Sequence, residues 1–107
     1  MSTKQHSTPG ESSRPFDKER SGFILGEGCG VLIIESLDSA LKRKADILAE
    51  ICGYGYTSDG FHLVRPETSG EGQLRAMKNA LEMAQISESE VDNFNVHATS
   101  TQAGDEI

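Results

Sequence analysis

Apolar residues come in short runs along this chain, separated by glycine-rich and charged stretches. The longest is Val31, Leu32, Ile33 and Ile34. Its β-branched, unbroken character predicts a strand over residues 31–35, buried on both faces. Leu37, Ala40 and Leu41 follow at i, i+3 and i+4, the spacing of a short helix. Lys42, Arg43 and Lys44 load its C-terminal end with positive charge, as the helix dipole favours. Residues 47–56 read as a second strand with bends at Gly53 and Gly55. Residues 57–69 contain Asp59, Gly60, His62 and Pro66 and read as a loop. Leu74, Met77, Leu81 and Ala84 share one face of a helix over residues 71–84. Ser87 and Glu90 have capping-box spacing and predict one further turn. Residues 91–97 read as a third strand, ending in a small-residue turn over 98–104. Ahead of all this, residues 1–13 are rich in Ser, Thr, Gly and Pro and read as a flexible leader, and residues 14–20 as an ordered loop. The order strand-helix-strand-helix-strand predicts an α/β layer architecture. In such sheets functional residues tend to lie beyond the carboxyl ends of strands, where His97 falls.

Composition narrows the partners. A chain of 107 residues suffices for one modest domain. Hydrophobic residues make up 36% and aromatics 6%, without Trp, so part of the core is expected from sequence outside this chain. A net charge of -7 argues against nucleic acid, which needs clustered Lys and Arg. No apolar run is long enough to span a bilayer, so no membrane role is expected. No targeting segment is visible: the first residues are polar, with neither an apolar signal core nor an Arg-rich amphipathic pattern. Cys29 and Cys52 lack CxxC spacing and a neighbouring His cluster, and His62 and His97 lack metal-ligand spacing, so no metal is expected.

Among candidate chemistry, His97 is followed by Ala98, Thr99, Ser100 and Thr101. Small neighbours leave room for a substrate, and the two threonine hydroxyls can bond an amide or carbonyl. Such a His could act as a general base, or as an N–H donor to a developing oxyanion. Equally, its ring could cap a backbone group while the threonines make turn bonds. The glycines at 26, 28 and 30 imply close backbone approach or positive φ. They do not form a dinucleotide fingerprint, because they precede a strand instead of following one. Cys29, before a predicted buried strand, and Cys52, within one, read as small buried hydrophobes, not nucleophiles. His62 either orders its loop through a carboxylate or is simply exposed.

Ser13 to Arg20 followed by Gly22 to Gly28, then residues 31–37, then residues 49–55 with Ser58, Asp59 and His62, and finally Asn95 to Thr101 form four motifs in register. This series is similar to β-ketoacyl-acyl-carrier-protein synthases, over residues 13–107. The resemblance implies a partial thiolase-like fold spanning the junction of two similar halves, with residues 14–45 ending the first and 46–107 starting the second. It implies decarboxylative condensation of malonyl-carrier protein with an acyl thioester, in fatty-acid biosynthesis. It gives His97 the role of hydrogen-bonding the malonyl thioester carbonyl during decarboxylation. Thr99 and Thr101 resemble hydroxyls that hold the phosphopantetheine arm of acyl-carrier protein, the only cofactor-like group implied. Arg14 resembles a basic residue at the tunnel mouth where that acidic carrier docks, and residues 59–62 a loop that borders the site. A homodimeric full-length parent is implied.

This sequence also departs from the family pattern. The nucleophilic cysteine lies upstream in the family and the second histidine and lysine downstream, so the chain alone is expected to be inactive. Ser21 stands where Asp is usual, Val96 replaces a smaller residue, and Ala98 replaces a Gly common in bacterial members. The Ala form is familiar from organellar members and points to a mitochondrial parent, with the cytoplasm or plastid as alternatives. A non-catalytic remnant serving as a binding or assembly module is the competing reading.

Overall fold

The computed structural model describes residues 8–107. Residues 1–7 of the expected leader lie outside the described residues. From Thr8 the backbone is locally bonded. Pro9–Glu11 make a 3₁₀ turn, Thr8 Oγ1 donates to Glu11 Oε2 at 2.9 Å, and Ser12 is buried.

Helix α1 spans Leu37–Lys42. The Ser36 hydroxyl caps it by accepting from the Ser39 N–H at 3.3 Å, satisfying an otherwise free donor. Asp38 in the first turn and Lys42 in the last both suit the helix dipole. The basic end is more than a solvated tail. Arg43 folds back over the helix and donates Nε–H to Glu35 Oε1 at 2.8 Å, while Ser39 Oγ donates to Glu35 Oε2 at 2.9 Å. These bonds, Arg43 first, hold the Glu35 carboxyl below the usual carboxylate range.

Helix α2 spans Glu71–Ala84. It opens after Gly70, at φ 71°, and closes on Gln85, at φ 57°. Gln85 N–H donates to the Glu82 carbonyl and Ile86 N–H to the Leu81 carbonyl, the paired bonds of a Schellman ending. Beyond it the Ser87–Glu90 capping box forms as expected, around a 3₁₀ turn over Glu88–Glu90. Its bonds, the Ser87 backbone N–H first, lower the Glu90 pKa.

The seat of α2 overlaps only one edge of the face that periodicity predicts, where Leu81 and Ala84 are half-buried. Leu74 and Met77 are exposed. Instead Gly53 and Gly55 lie against the helix, where an added Cβ would run into the Ala80 carbonyl and Ala84 at one position and the Ala76 backbone at the other. Ala76, Ala80 and Ala84 recur every four residues, a rise of about 6 Å, close to the two-residue repeat of extended chain. A stripe of small residues thus meets a backbone without side chains. Gly53 and Gly55 serve close approach, whereas Gly26, Gly28 and Gly30 stand in open space without positive φ, against expectation.

The strands expected over 31–35, 47–56 and 91–97 are absent among the described residues, apart from a single bridge residue at Phe23. A ladder needs a neighbouring backbone in hydrogen-bonding register, and these segments make no such cross-segment bond among the described residues. Ile33 is 97% exposed and Leu32 86%. Ala40 is the buried apolar residue among those described. The radius of gyration is 18.0 Å, against about 13 Å for a compact domain of this length. Cys29 and Cys52 are exposed, not buried as expected, because the apolar layer that would cover them is not formed by this chain.

The structured end of the molecule is where residues 14–22 meet helix α3, Gln102–Glu106.

Candidate functional site

Residues 14–22 and 97–106 are far apart in sequence and are bonded tightly together. Residues 14–17 make a turn closed by Asp17 N–H to the Arg14 carbonyl at 3.1 Å. Pro15 sits at its second position and Phe16 at its third, with φ 64°. That is the type II pattern, in which a side chain at the third position is strained. The strain is held by Asp105, whose Oδ2 accepts from the Phe16 N–H at 3.0 Å.

The other strand of this junction is the turn after His97. Ser100 is fully buried, with φ 67°. Its N–H donates to Asp105 Oδ1 at 3.1 Å, its hydroxyl accepts from the Arg14 N–H at 3.1 Å, and its carbonyl accepts from the Gly22 N–H at 2.9 Å. Every polar group of this buried residue is therefore engaged. Thr101 caps α3, its Oγ1 accepting from the Gly104 N–H at 3.2 Å. A Cβ at position 104 would crowd Thr101 Oγ1, which would have to shift.

With Ser100 turned inward, its neighbours are placed together. Thr99 Oγ1 and Thr101 Oγ1 lie 3.2 Å apart, both half-buried. His97 is exposed, and its ring makes no hydrogen bond or ion pair among the described residues. The reading in which this ring caps a backbone group is not what the structure has. The threonine half of that reading is partly met, since Thr101 does make a turn bond. The adjacent hydroxyls and the unengaged imidazole can each offer hydrogen bonds to a carbonyl or amide.

Arg14 enters the same junction through its backbone. Its guanidinium is held by near neighbours, Nε donating to the Glu11 carbonyl at 3.0 Å and Nη1 lying 3.6 Å from the exposed Glu19 carboxylate, on a side chain 23% exposed. The structure thus gathers Arg14, Thr99 and Thr101 around Ser100.

His62 is exposed in a cleft lined also by Asp59, Gly60 and Phe61. Its Nδ1 accepts from the Val64 and Arg65 N–H groups at 3.0 and 3.2 Å, which puts the ring proton on Nε2 in the neutral form. It orders the loop through backbone and not through a carboxylate. Asp59 does so separately, Oδ2 accepting from the Glu67 N–H at 3.1 Å.

Sequence reasoning missed Ser100, Asp105 and Arg20 as the members that hold this junction. The one local signal was Thr101 followed by Gly104 and Asp105, the pattern of a capped helix start.

Comparison with known proteins follows the same two segments. Residues 1–40 match the family model "Beta-ketoacyl synthase, N-terminal domain" and residues 48–107 "Beta-ketoacyl synthase, C-terminal domain". A 3-oxoacyl-[acyl-carrier-protein] synthase homolog of Saccharomyces cerevisiae is 53% identical over 87% of this chain and 21% of its own length. The mitochondrial 3-oxoacyl-[acyl-carrier-protein] synthase of Arabidopsis thaliana is 45% identical over the whole chain and 23% of its own. A solved ketosynthase, in complex with its type II PKS acyl-carrier protein, superposes with a TM-score of 0.91 at 36% identity, over 96% of this chain and 25% of that one. The backbone therefore follows the thiolase-like ketosynthase fold even where no ladder forms. The chain spans about a fifth to a quarter of the length of the curated relatives it matches. On these matches, the chain belongs to the β-ketoacyl synthase family.

Proposed function

We propose that this chain is part of a 3-oxoacyl-acyl-carrier-protein synthase that condenses malonyl-carrier protein with an acyl thioester in fatty-acid biosynthesis. The observation that carries this reading is the paired Thr99 and Thr101 hydroxyls, two and four residues after an unengaged His97, in a chain of this family. His97 donates Nε2–H to the malonyl thioester carbonyl, and the enolate charge that develops as carbon dioxide leaves is stabilised by that bond. Thr99 and Thr101 hold the phosphopantetheine arm. Arg14, half-buried at the edge of this junction, meets an acidic carrier protein. The solved ketosynthase captured with its acyl-carrier protein supports a carrier as the partner. The nucleophilic cysteine, the second histidine and the lysine come from sequence outside residues 1–107.

In the complete protein residues 31–35, 47–56 and 91–97 are strands of the α/β layers, which the superposition on a complete ketosynthase supports. Residues 14–45 end the first half and 46–107 begin the second, a division supported by family models that match residues 1–40 and 48–107. The parent is a homodimer of the mitochondrial type. Ala98 supports that type, as do relatives named mitochondrial from Arabidopsis thaliana and Schizosaccharomyces pombe.

The test is to incubate a complete synthase carrying this segment with acyl- and malonyl-carrier thioesters and to weigh the carrier by mass spectrometry. A 3-oxoacyl product two carbons longer is expected. A folded parent that forms no such product would refute the synthase reading and leave a binding module.

A further inference from the structure

Among the described residues Arg20 is the side chain most heavily bonded across the junction. Its side chain is only 11% exposed. Nε donates to the Thr101 carbonyl at 3.2 Å, Nη2 to the Gln102 carbonyl at 3.0 Å, and Nη1 to the Asp17 carbonyl at 3.0 Å. Asp105 Oδ2, on a side chain with no exposure, lies 3.2 Å from Nε, and Glu106 Oε1 lies 3.2 Å from Nη2. One guanidinium thus spans both walls of the junction. The Thr101 carbonyl also accepts from the Asp105 N–H at 3.1 Å, so both of its lone pairs are used.

We infer that Arg20 is a positioning residue of the condensation site, fixing the Thr101–Gln102 backbone and through it the Thr99 and Thr101 hydroxyls. The inference rests on the reading of those hydroxyls given under Proposed function. Its geometric basis is the planar fork: three backbone carbonyls lie in directions that five fixed N–H groups can serve together. A lysine ammonium carries the same charge but cannot reproduce that fork. Without it the turn after His97 keeps its Ser100 and Asp105 bonds and loses its brace on the α3 side. The hydroxyl pair is then free to shift, and a misplacement of about 1 Å can cost about 10²-fold in rate. Carrier affinity, set by docking contacts such as those of Arg14, is little touched.

The test uses a complete synthase carrying this segment, with Arg20→Lys as first variant and Arg20→Gln as second. Malonyl-carrier decarboxylation is expected to fall about 10- to 100-fold in kcat, with KM changed less than about threefold. In a Thr101→Val background the same substitution should add little further loss, since the group it positions is already gone. Parent-like kcat in a folded variant would overturn the inference. So would a loss that adds in full to that of Thr101→Val, because the residue would then act elsewhere. If neither variant folds, Arg20 is a folding determinant and the positioning role falls. An inactive parent with native Arg20 would instead refute the synthase reading itself.

Discussion

The backbone N–H of Arg14 donates to the hydroxyl of Ser100 at 3.1 Å, across 86 residues of chain. This bond joins the segment matching the family's N-terminal domain to the one matching its C-terminal domain. Ser100 is buried, so its hydroxyl is the acceptor that replaces water for that N–H. Replacing Ser100 by Ala leaves a buried donor unsatisfied and should cost about 1–3 kcal/mol in a complete synthase. Ser100→Gly loses the same bond but relieves the left-handed backbone, so it should cost less. Denaturant midpoints of the two variants give the comparison, and Gly destabilising more than Ala would contradict the assignment of strain.

The helix seat gives a second test. A Cβ at Gly55 would meet the Ala76 backbone, which cannot swing aside as a side chain could. Gly55→Ala should therefore destabilise a complete synthase by about 1–3 kcal/mol, as overpacking does. An unchanged melting temperature would show that α2 does not sit where Gly53 and Gly55 place it.

Helix α1 carries a pH signature. The folded Glu35 pKa is lowered, first by the Arg43 hydrogen bond and then by Ser39. A carboxylate depressed on folding contributes stability that is present above its unfolded pKa and lost as pH falls through the folded one. The Glu35 side-chain carboxyl carbon, followed by NMR, should titrate below the ordinary glutamate range, and Arg43→Gln should move it back up. A midpoint unaffected by Arg43→Gln would remove the pair.

What the sequence made legible follows from what is local. The short α1, the span of α2 and the Ser87–Glu90 box depend on residues within a few positions of one another, and all three form. The strands over 31–35, 47–56 and 91–97 were legible only as apolar pattern, since their ladders depend on neighbours that pattern does not name. Of the Ala76, Ala80 and Ala84 stripe only Ala84 was read as facing inward, because small residues carry little hydrophobic signal beside Leu74 and Met77. In the site, His97 and the threonines stood out by residue type. Arg20 and Asp105 did not, because their worth lies in bonds that span more than eighty residues.

The exposed apolar segment also sets how the chain behaves alone. Val31, Leu32, Ile33 and Ile34 are each at least 70% exposed. Exposed β-prone segments of this kind pair with other chains. Purified residues 1–107 should show no synthase activity, little cooperative unfolding and a tendency to aggregate. A sharp melting transition together with malonyl-thioester decarboxylation would contradict this.

The most direct measurement is decarboxylation of malonyl-carrier protein by a complete synthase bearing His97→Ala, with carbon dioxide release as the readout and circular dichroism as the check on folding. With the Nε2–H donor gone, release should fall at least about 10²-fold, the scale of losing one oxyanion donor, in a protein that still folds. Unchanged release from the folded variant would remove His97 from the chemistry, and with it the central role proposed for this segment.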